Sequence, residues 1–169
     1  MPQPDQNASK AKRSVASSAA SALGFREARR EDIPAIVALL ADDALGANRD
    51  GPQLMTNYLS AWEAMAAQKG NALIVATLSE EVVGVLQLTL IPGLSRGGML
   101  RGQIESVRVS SKHRGYRIGQ QLLAHAIDIA RSAGCGLVQL TSDKQRTDAL
   151  RFYAQLGFVA SHEGLKLTL

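Results

Sequence analysis

Only one cysteine, Cys135, occurs among the 169 residues. That excludes an internal disulfide and any cysteine-clustered zinc site. Cys135 lies between Gly134 and Gly136, with no His or Asn arrangement that marks a nucleophile, and reads as a core or loop thiol. The three histidines, His113, His125 and His162, are widely spaced and show no metal-ligand pattern. No run approaches the ~18 apolar residues that span a bilayer. Aromatic residues are scarce, at 4%, yet 46% of the chain is hydrophobic and 20% charged. A disordered chain, a coiled coil and a collagen-like repeat are thereby excluded. The length suits one domain with a substantial core. With a single thiol the chain reads as cytoplasmic.

One stretch lacks acidic residues altogether. From Ser106 to Ile127 there are four cations, Arg108, Lys112, Arg114 and Arg117, and no carboxylate. The net charge is +4. Part of it sits in residues 1–24, where Lys10, Lys12 and Arg13 stand against Asp5; the remainder is nearly neutral. Global charge therefore says little about nucleic acid, whereas the local cluster points to a negatively charged ligand.

Residues 1–24, rich in Ala and Ser, read as a flexible N-terminal tail, and residues 25–169 as the domain. Ser14–Leu23 is too polar for the core of a secretory signal. A strand is expected over Phe25–Ala28. A helix follows with Asp32 as N-cap and Pro34 in its first turn. A second helix carries Leu54, Tyr58, Trp62 and Met65, stopped by Gly70. Strands Ala72–Leu78 and Glu81–Leu90 flank a tight turn at Ser79-Glu80. Ile91–Arg101 interrupts them with three glycines and two arginines, as a mobile lid or a hairpin tip with solvated cations. Strand Leu100–Ser110 is expected to place Gln103, Glu105, Val107 and Val109 on one face. Helix Arg117–Ser132, strand Leu137–Thr141, a helix capped at Thr147 or Asp148 and two last strands, Phe158–Ala160 and Leu165–Leu169, complete a mixed α/β domain.

Val107–Leu123 holds the chemistry. A strand ends, a basic loop with Gly115 and Gly119 follows, and a helix begins. A helix start exposes unpaired N–H groups and a positive dipole end, and glycine permits close approach, so an anion such as a pyrophosphate fits there. An ordinary β-α turn with solvated cations is the plain alternative. The stretch is neither a Walker loop nor a dinucleotide fingerprint.

Arg114-Gly115-Tyr116-Arg117-Ile118-Gly119, followed by Leu122-Leu123, resembles the acyl-CoA pyrophosphate loop of the GNAT superfamily of N-acetyltransferases. Arg117 stands at that loop's usual inner glycine. Downstream, Ala149-Leu150-Arg151-Phe152-Tyr153-Ala154-Gln155-Leu156-Gly157-Phe158 resembles the superfamily's Ala-x-x-Phe-Tyr-x-x-x-Gly-Phe segment, with Arg146 where Asn is frequent. The resemblance covers about residues 25–169.

It implies a mixed, mostly antiparallel central sheet with helices on both faces. It also implies acetyl-CoA as co-substrate, no metal, and direct transfer to the primary amine of a small molecule. Cofactor contacts fall on Val107, Arg108, Val109, Arg114, Gly115, Tyr116, Arg117, Ile118, Gly119 and Gln120, with Lys112 adding charge. Tyr153 matches the tyrosine that protonates the leaving thiolate; a packed aromatic beside Phe152 is the alternative. Glu105 is the candidate general base, or a carboxylate that holds the acceptor ammonium. A peptide or protein acceptor, or a non-catalytic acyl-CoA-binding module, remain as rivals. The resemblance further implies a homodimer, which would cover the apolar row in Leu165–Leu169; no nucleic acid or membrane partner is expected.

Overall fold

The computed structural model describes residues 23–42 and 46–169. Five strands form one sheet in chain order: β1 (Leu23–Glu27), β2 (Asn71–Leu78), β3 (Glu81–Pro92), β4 (Leu100–Val109) and β5 (Leu137–Leu140). The first four pair antiparallel and β5 joins β4 in parallel. The helices are α1 (Ile33–Leu40), α2 (Met55–Ala66), the single turn α3 (Ser95–Gly98), α4 (Ile118–Ser132) and α5 (Thr147–Gln155). The mixed, mostly antiparallel sheet expected from the sequence is present. Among the described residues no helix is long and apolar enough to cross a membrane.

Alternation along the central strands divides the core in two. Ile74, Leu86, Leu88 and Ile104 point to one face and pack against Leu122, Leu123, Ala126 and Ala130 of α4. Val75 and Val85 point to the other and pack against Ile33, Ile36 and Val37 of α1, with α2 over them. The helices thus cover both faces. Gly102 permits the α4 contact, since a Cβ there would lie 3.2 Å from Ala130 Cβ. The β2–β3 hairpin turns at Ser79 and Glu80, both at positive φ (48° and 70°), the pattern of a type I′ turn.

Four expectations need correction. The domain begins earlier than residue 25, because Leu23 and Gly24 already pair with Leu78 and Thr77; residues 1–22, the rest of the expected tail, lie outside the described residues. Asp32 precedes α1 without capping it. Its carboxylate instead accepts from the Arg29 amide at 2.7 Å and from both terminal nitrogens of Arg26 at 2.6 and 3.0 Å. The segments Phe158–Ala160 and Leu165–Leu169 are not strands. No described edge receives them, and Val159, Leu165, Leu167 and Leu169 stand exposed. Alternation makes a strand only where a ladder partner exists.

The fourth correction matters most for the site. Val85 pairs with Arg108 and Gln87 with Glu105, so Leu86 alone faces both Ser106 and Val107. This is a β-bulge, with Ser106 at φ +54°. It reverses the alternation of β4. Val107 and Val109 join Ile104 on the α4 side. Glu105 stays opposite Gln87, whose side chain faces α1 and α2. Glu105 and Val107 therefore do not share a face.

The Asp32–Arg26 pair makes a pH prediction. Asp32 is held below the usual carboxylate range, first by the Arg26 hydrogen bond and also by the Arg29 amide, against its partial burial. A depressed folded-state pKa contributes stability above the unfolded pKa, about 3.9, and loses it as pH falls through the folded value. Asp32→Asn is expected to cost about 1–2 kcal/mol at pH 7 in urea unfolding, and the gap from the parent should close below about pH 4.

Candidate functional site

Strand β5 pairs with β4 only from Arg101↔Leu137 to Ile104↔Leu140. Beyond that point β4 continues to Val109 with β3 on one side and, among the described residues, no strand on the other. The bulge sits just past the fork. The Ser110 amide donates to Val83 O of β3 at 2.9 Å. By alternation Arg108 also faces β3, and the backbones of Val107 and Val109 face the open side. Two guanidiniums confirm this: Arg108 Nη1 donates to Val107 O at 2.9 Å and Arg114 Nε to Val109 O at 3.4 Å. The fork creates a slot along a strand edge, a place for an extended ligand arm with amide groups.

At the end of the slot lies the β4–α4 loop. Gly115 (φ +87°) and Arg117 (φ +59°) both adopt the left-handed region. Arg117 precedes α4 without a side-chain cap. The first-turn amides of Ile118, Gly119 and Gln120 are left for a ligand, at the positive end of a 15-residue helix. A Cβ on Gly119 would lie 3.5 Å from both Phe152 Cζ and Val109 Cγ2, so α4 approaches α5 and β4 closely there. Lys112, Tyr116 and Arg117 are exposed. No carboxylate of the described residues pairs with Lys112 or Arg117. Arg114 has a second task. Its Nη2 donates to Asp42 O at 2.9 Å, while Asp42 Oδ2 accepts from the Ser111 amide at 2.6 Å. The end of α1 is thereby tied to the loop. His113 turns inward, and its enclosed Nδ1 has no hydrogen-bond partner among the described residues.

Tyr153 on α5 packs edge-on against Phe152 and Phe158, with ring centroids 5.3 and 5.9 Å away. Burial pushes its phenol above the usual value, and the positive charges of Arg146 and Arg108 partly oppose this. The proton thus stays on the oxygen across the neutral range, near two cations that would favour an adjacent thiolate.

Glu105 is exposed on the opposite face. Beside it a cavity of about 120 Å³ opens between α1, α2 and the sheet, with Gln87 and Ser106 in its wall. Spacing alone made Met65, Trp62 and Tyr58 core residues of α2; they do pack on α1, and they also line this cavity. Sequence reasoning missed Ser106, Gln87 and Asp42. The bulge has no composition signature, and Asp42 acts across 69 residues of chain.

Other expectations fall away from the site. The β3–β4 tip, with Arg96 exposed at φ +54°, is ten residues before Ser106 along the hairpin. Its strand β4 begins roughly 20 Å from the bulge at the usual rise per residue. Cys135 is half-buried and its thiol is raised by that burial, as for an inert packing residue. Glu163 pairs with Lys144 at 2.5 Å, and both are exposed. Among the described residues no three His, Cys, Asp or Glu side chains group to hold a metal.

Arg117 occupies a backbone region that costs a side-chain-bearing residue roughly 1–2 kcal/mol. Arg117→Gly is therefore expected to stabilise the fold by about 1 kcal/mol, and the β-branched Arg117→Val to destabilise it. Thermal unfolding of the three proteins reads both signs.

The acetyltransferase (GNAT) family profile matches residues 33–158. The chain is 38% identical over 88 residues to the glucosamine 6-phosphate N-acetyltransferase of Trypanosoma brucei brucei, covering 52% of this chain and 58% of that protein. It is 39% identical over 88 residues to the aminoalkylphosphonate N-acetyltransferase of Salmonella typhimurium, covering 52% and 56%. The chain thus spans somewhat more than half the length of these curated relatives. A solved structure named as a transcriptional regulator from Bacillus halodurans C-125 superposes with a TM-score of 0.84 at 49% identity, over 88% of this chain and 100% of that one. With a profile match across most of its length, the chain belongs to the acetyltransferase (GNAT) family.

Proposed function

We propose that the chain transfers the acetyl group of acetyl-CoA directly to the primary amine of a small-molecule acceptor. The fork between β4 and β5 carries this reading: a strand edge that no described strand covers, its carbonyls held by Arg108 and Arg114, leads from the bulge to an uncapped, cation-flanked helix start. That series suits an amide-bearing arm ending in a pyrophosphate. Both curated relatives are named for acetylating small amines.

Acetyl-CoA supplies an acetyl thioester. Its phosphates fit the amides of Gly115 to Gln120, with Lys112 and Arg117 as unpaired cations. Arg114 supports the loop through Asp42 and Val109. The open edge at Val107 and Val109 fits the arm. Glu105 accepts a proton from the acceptor nitrogen, directly or through a water, or holds the ammonium before it loses one. A C–N bond forms and the C–S bond breaks. Tyr153 donates its proton to the departing sulfur; burial keeps that proton on the phenol until the thiolate develops.

A non-catalytic acyl-CoA-binding module is the second reading, favoured by the name of the Bacillus halodurans neighbour. Thiol release from acetyl-CoA, screened against amines, amino acids, aminophosphonates and Lys peptides, separates the two. Release dependent on a small amine supports transfer, whereas acetyl-CoA binding without release supports the module. With an acceptor in hand, Tyr153→Phe should lower kcat by about 10²-fold and leave acetyl-CoA affinity within about twofold. Equal losses in both would make Tyr153 structural. Glu105→Gln should change the shape of the pH–rate profile if it is the base, and lower only the acceptor's apparent affinity if it holds the ammonium.

Two copies of the chain pair through the C-terminal segment in this reading. Leu165, Leu167 and Leu169 form an exposed apolar row, and the outer edge of β5 has no neighbour. Light scattering is expected to give twice the 18.0 kDa chain mass, falling to one on changing the three leucines to Ser; a monomeric parent would overturn the pairing.

A further inference from the structure

The cavity beside Glu105 has a chemical character that narrows the acceptor, on the reading that the chain is an acetyltransferase. Ile33, Val37, Tyr58, Trp62 and Met65 supply most of its wall. Apart from the Ser106 hydroxyl, which can donate or accept, its polar groups present acceptors. The Tyr58 hydroxyl donates to Asp50 Oδ1 at 2.9 Å and accepts from the Gly51 amide at 3.3 Å, so its only proton is engaged. Gln87 Nε2 donates to Asn71 Oδ1 at 2.9 Å and to Thr89 Oγ1 at 3.5 Å. Asn71 is itself oriented by donating its Nδ2 to Gln68 Oε1 at 2.9 Å. Gln87 is thereby left with its carbonyl oxygen. Glu105 is not in the lining itself but lies opposite Gln87 in the β3–β4 register, on the same face, which puts a carboxylate at the cavity's edge.

Among the described residues no Lys, Arg or His lines the cavity. The nearby Arg49 is turned to Asp50 Oδ2 at 3.4 Å. A phosphate placed here would lose its hydration with the Ser106 hydroxyl as one donor and otherwise acceptors and apolar carbon for neighbours. An ammonium at the Glu105–Gln87 mouth would meet two acceptors, and an apolar body would meet the Trp62–Met65–Ile33 wall. The volume, about 120 Å³ and partly open to solvent, is near the roughly 150 Å³ of an apolar cavity that admits benzene. We propose that the acceptor is a primary amine on an uncharged, apolar body about the size of an aromatic ring, seated between α1 and α2 with its nitrogen at Glu105 and Gln87. The phosphorylated and phosphonate amines named for the two curated relatives are then poor ligands of this chain.

Trp62, the single tryptophan, lies in the cavity wall and reports its occupation without turnover. Full-length protein is titrated with 2-phenylethylamine, 2-aminoethylphosphonate and glucosamine 6-phosphate while tryptophan fluorescence is followed. The same amines are then supplied with acetyl-CoA and thiol release is measured. Saturable binding of 2-phenylethylamine, at least tenfold tighter than either anionic amine, with release in the same order, is expected. Ala61 also lines the cavity from an exposed position on α2. Ala61→Phe fills it with little risk to folding, and should weaken 2-phenylethylamine at least tenfold while acetyl-CoA affinity holds.

Preferential binding and acetylation of an anionic amine would overturn the proposal and leave the transferase reading standing. So would an absence of both fluorescence change and release with 2-phenylethylamine. Saturable, Ala61→Phe-sensitive binding of 2-phenylethylamine without release from any amine would support the cavity's assignment and count against acetyl transfer instead.

Discussion

A strand inside a sheet can satisfy its backbone on both edges only while both neighbours continue beside it. In β4 one neighbour stops. β5 ends at Leu140, opposite Ile104, and the next five residues of β4 keep β3 alone. Within that stretch the extra residue at Ser106 reverses the side-chain alternation. Without it Val107 and Val109 would point to α1 and α2, and the α4 core would lose two contacts, because a one-residue slip flips every later side chain. With it, the same strand sends Glu105 to one face and two valines to the other, and turns the backbone of Val107 and Val109 to the open slot. The bulge thus serves packing and site together.

The loop after β4 depends on that exit. It arrives with Ser110 fixed to Val83, and Asp42 then catches the Ser111 amide while Arg114 returns to Asp42 and Val109. These bonds join the end of α1, near the acceptor cavity, to the segment beneath the α4 amides. The left-handed Arg117 is the point at which the chain enters the helix without placing a side chain over its N-terminus. Glycine would do this at less conformational cost; arginine adds a cation to a loop already free of carboxylates.

Local patterning made most elements legible. Apolar spacing gave α1, α2 and α4 to within a residue or two, and Ser79-Glu80 marked the hairpin. The cation-rich Val107–Leu123 stretch does form a strand end, a loop and a helix start, and Phe152-Tyr153 does fall on a helix. What failed had non-local causes. The bulge depends on pairing with β3, and alternation read along one strand cannot detect it. Asp32 was assigned to the helix that follows it, whereas Arg26, on the preceding strand, recruits its carboxylate. The row of leucines after Gly164 carries a strand pattern, but the ladder that would make it a strand is not supplied by the described part of its own sheet. Trp62 and Met65 pack on α1 and also line the cavity, so their helical spacing by itself reads as core.

The two faces of the sheet differ in electrostatic sign around the fork. Lys112 and Arg117 lie at the start of α4, while the cavity on the α1–α2 side offers Glu105 and acceptor oxygens. Tyr153 belongs to the first side and is packed against α4-facing residues; Glu105 belongs to the second. A polyanionic cofactor and a cationic amine would each be drawn to its own side, and like charges would disfavour exchanging them. They could meet only where β4 is open, at Ser106 and Val107. In the proposed transfer, the proton taken from nitrogen and the proton given to sulfur would involve groups approaching from opposite faces of one strand. Neither group needs to cross the sheet, because the bulge already divides the strand's residues between them.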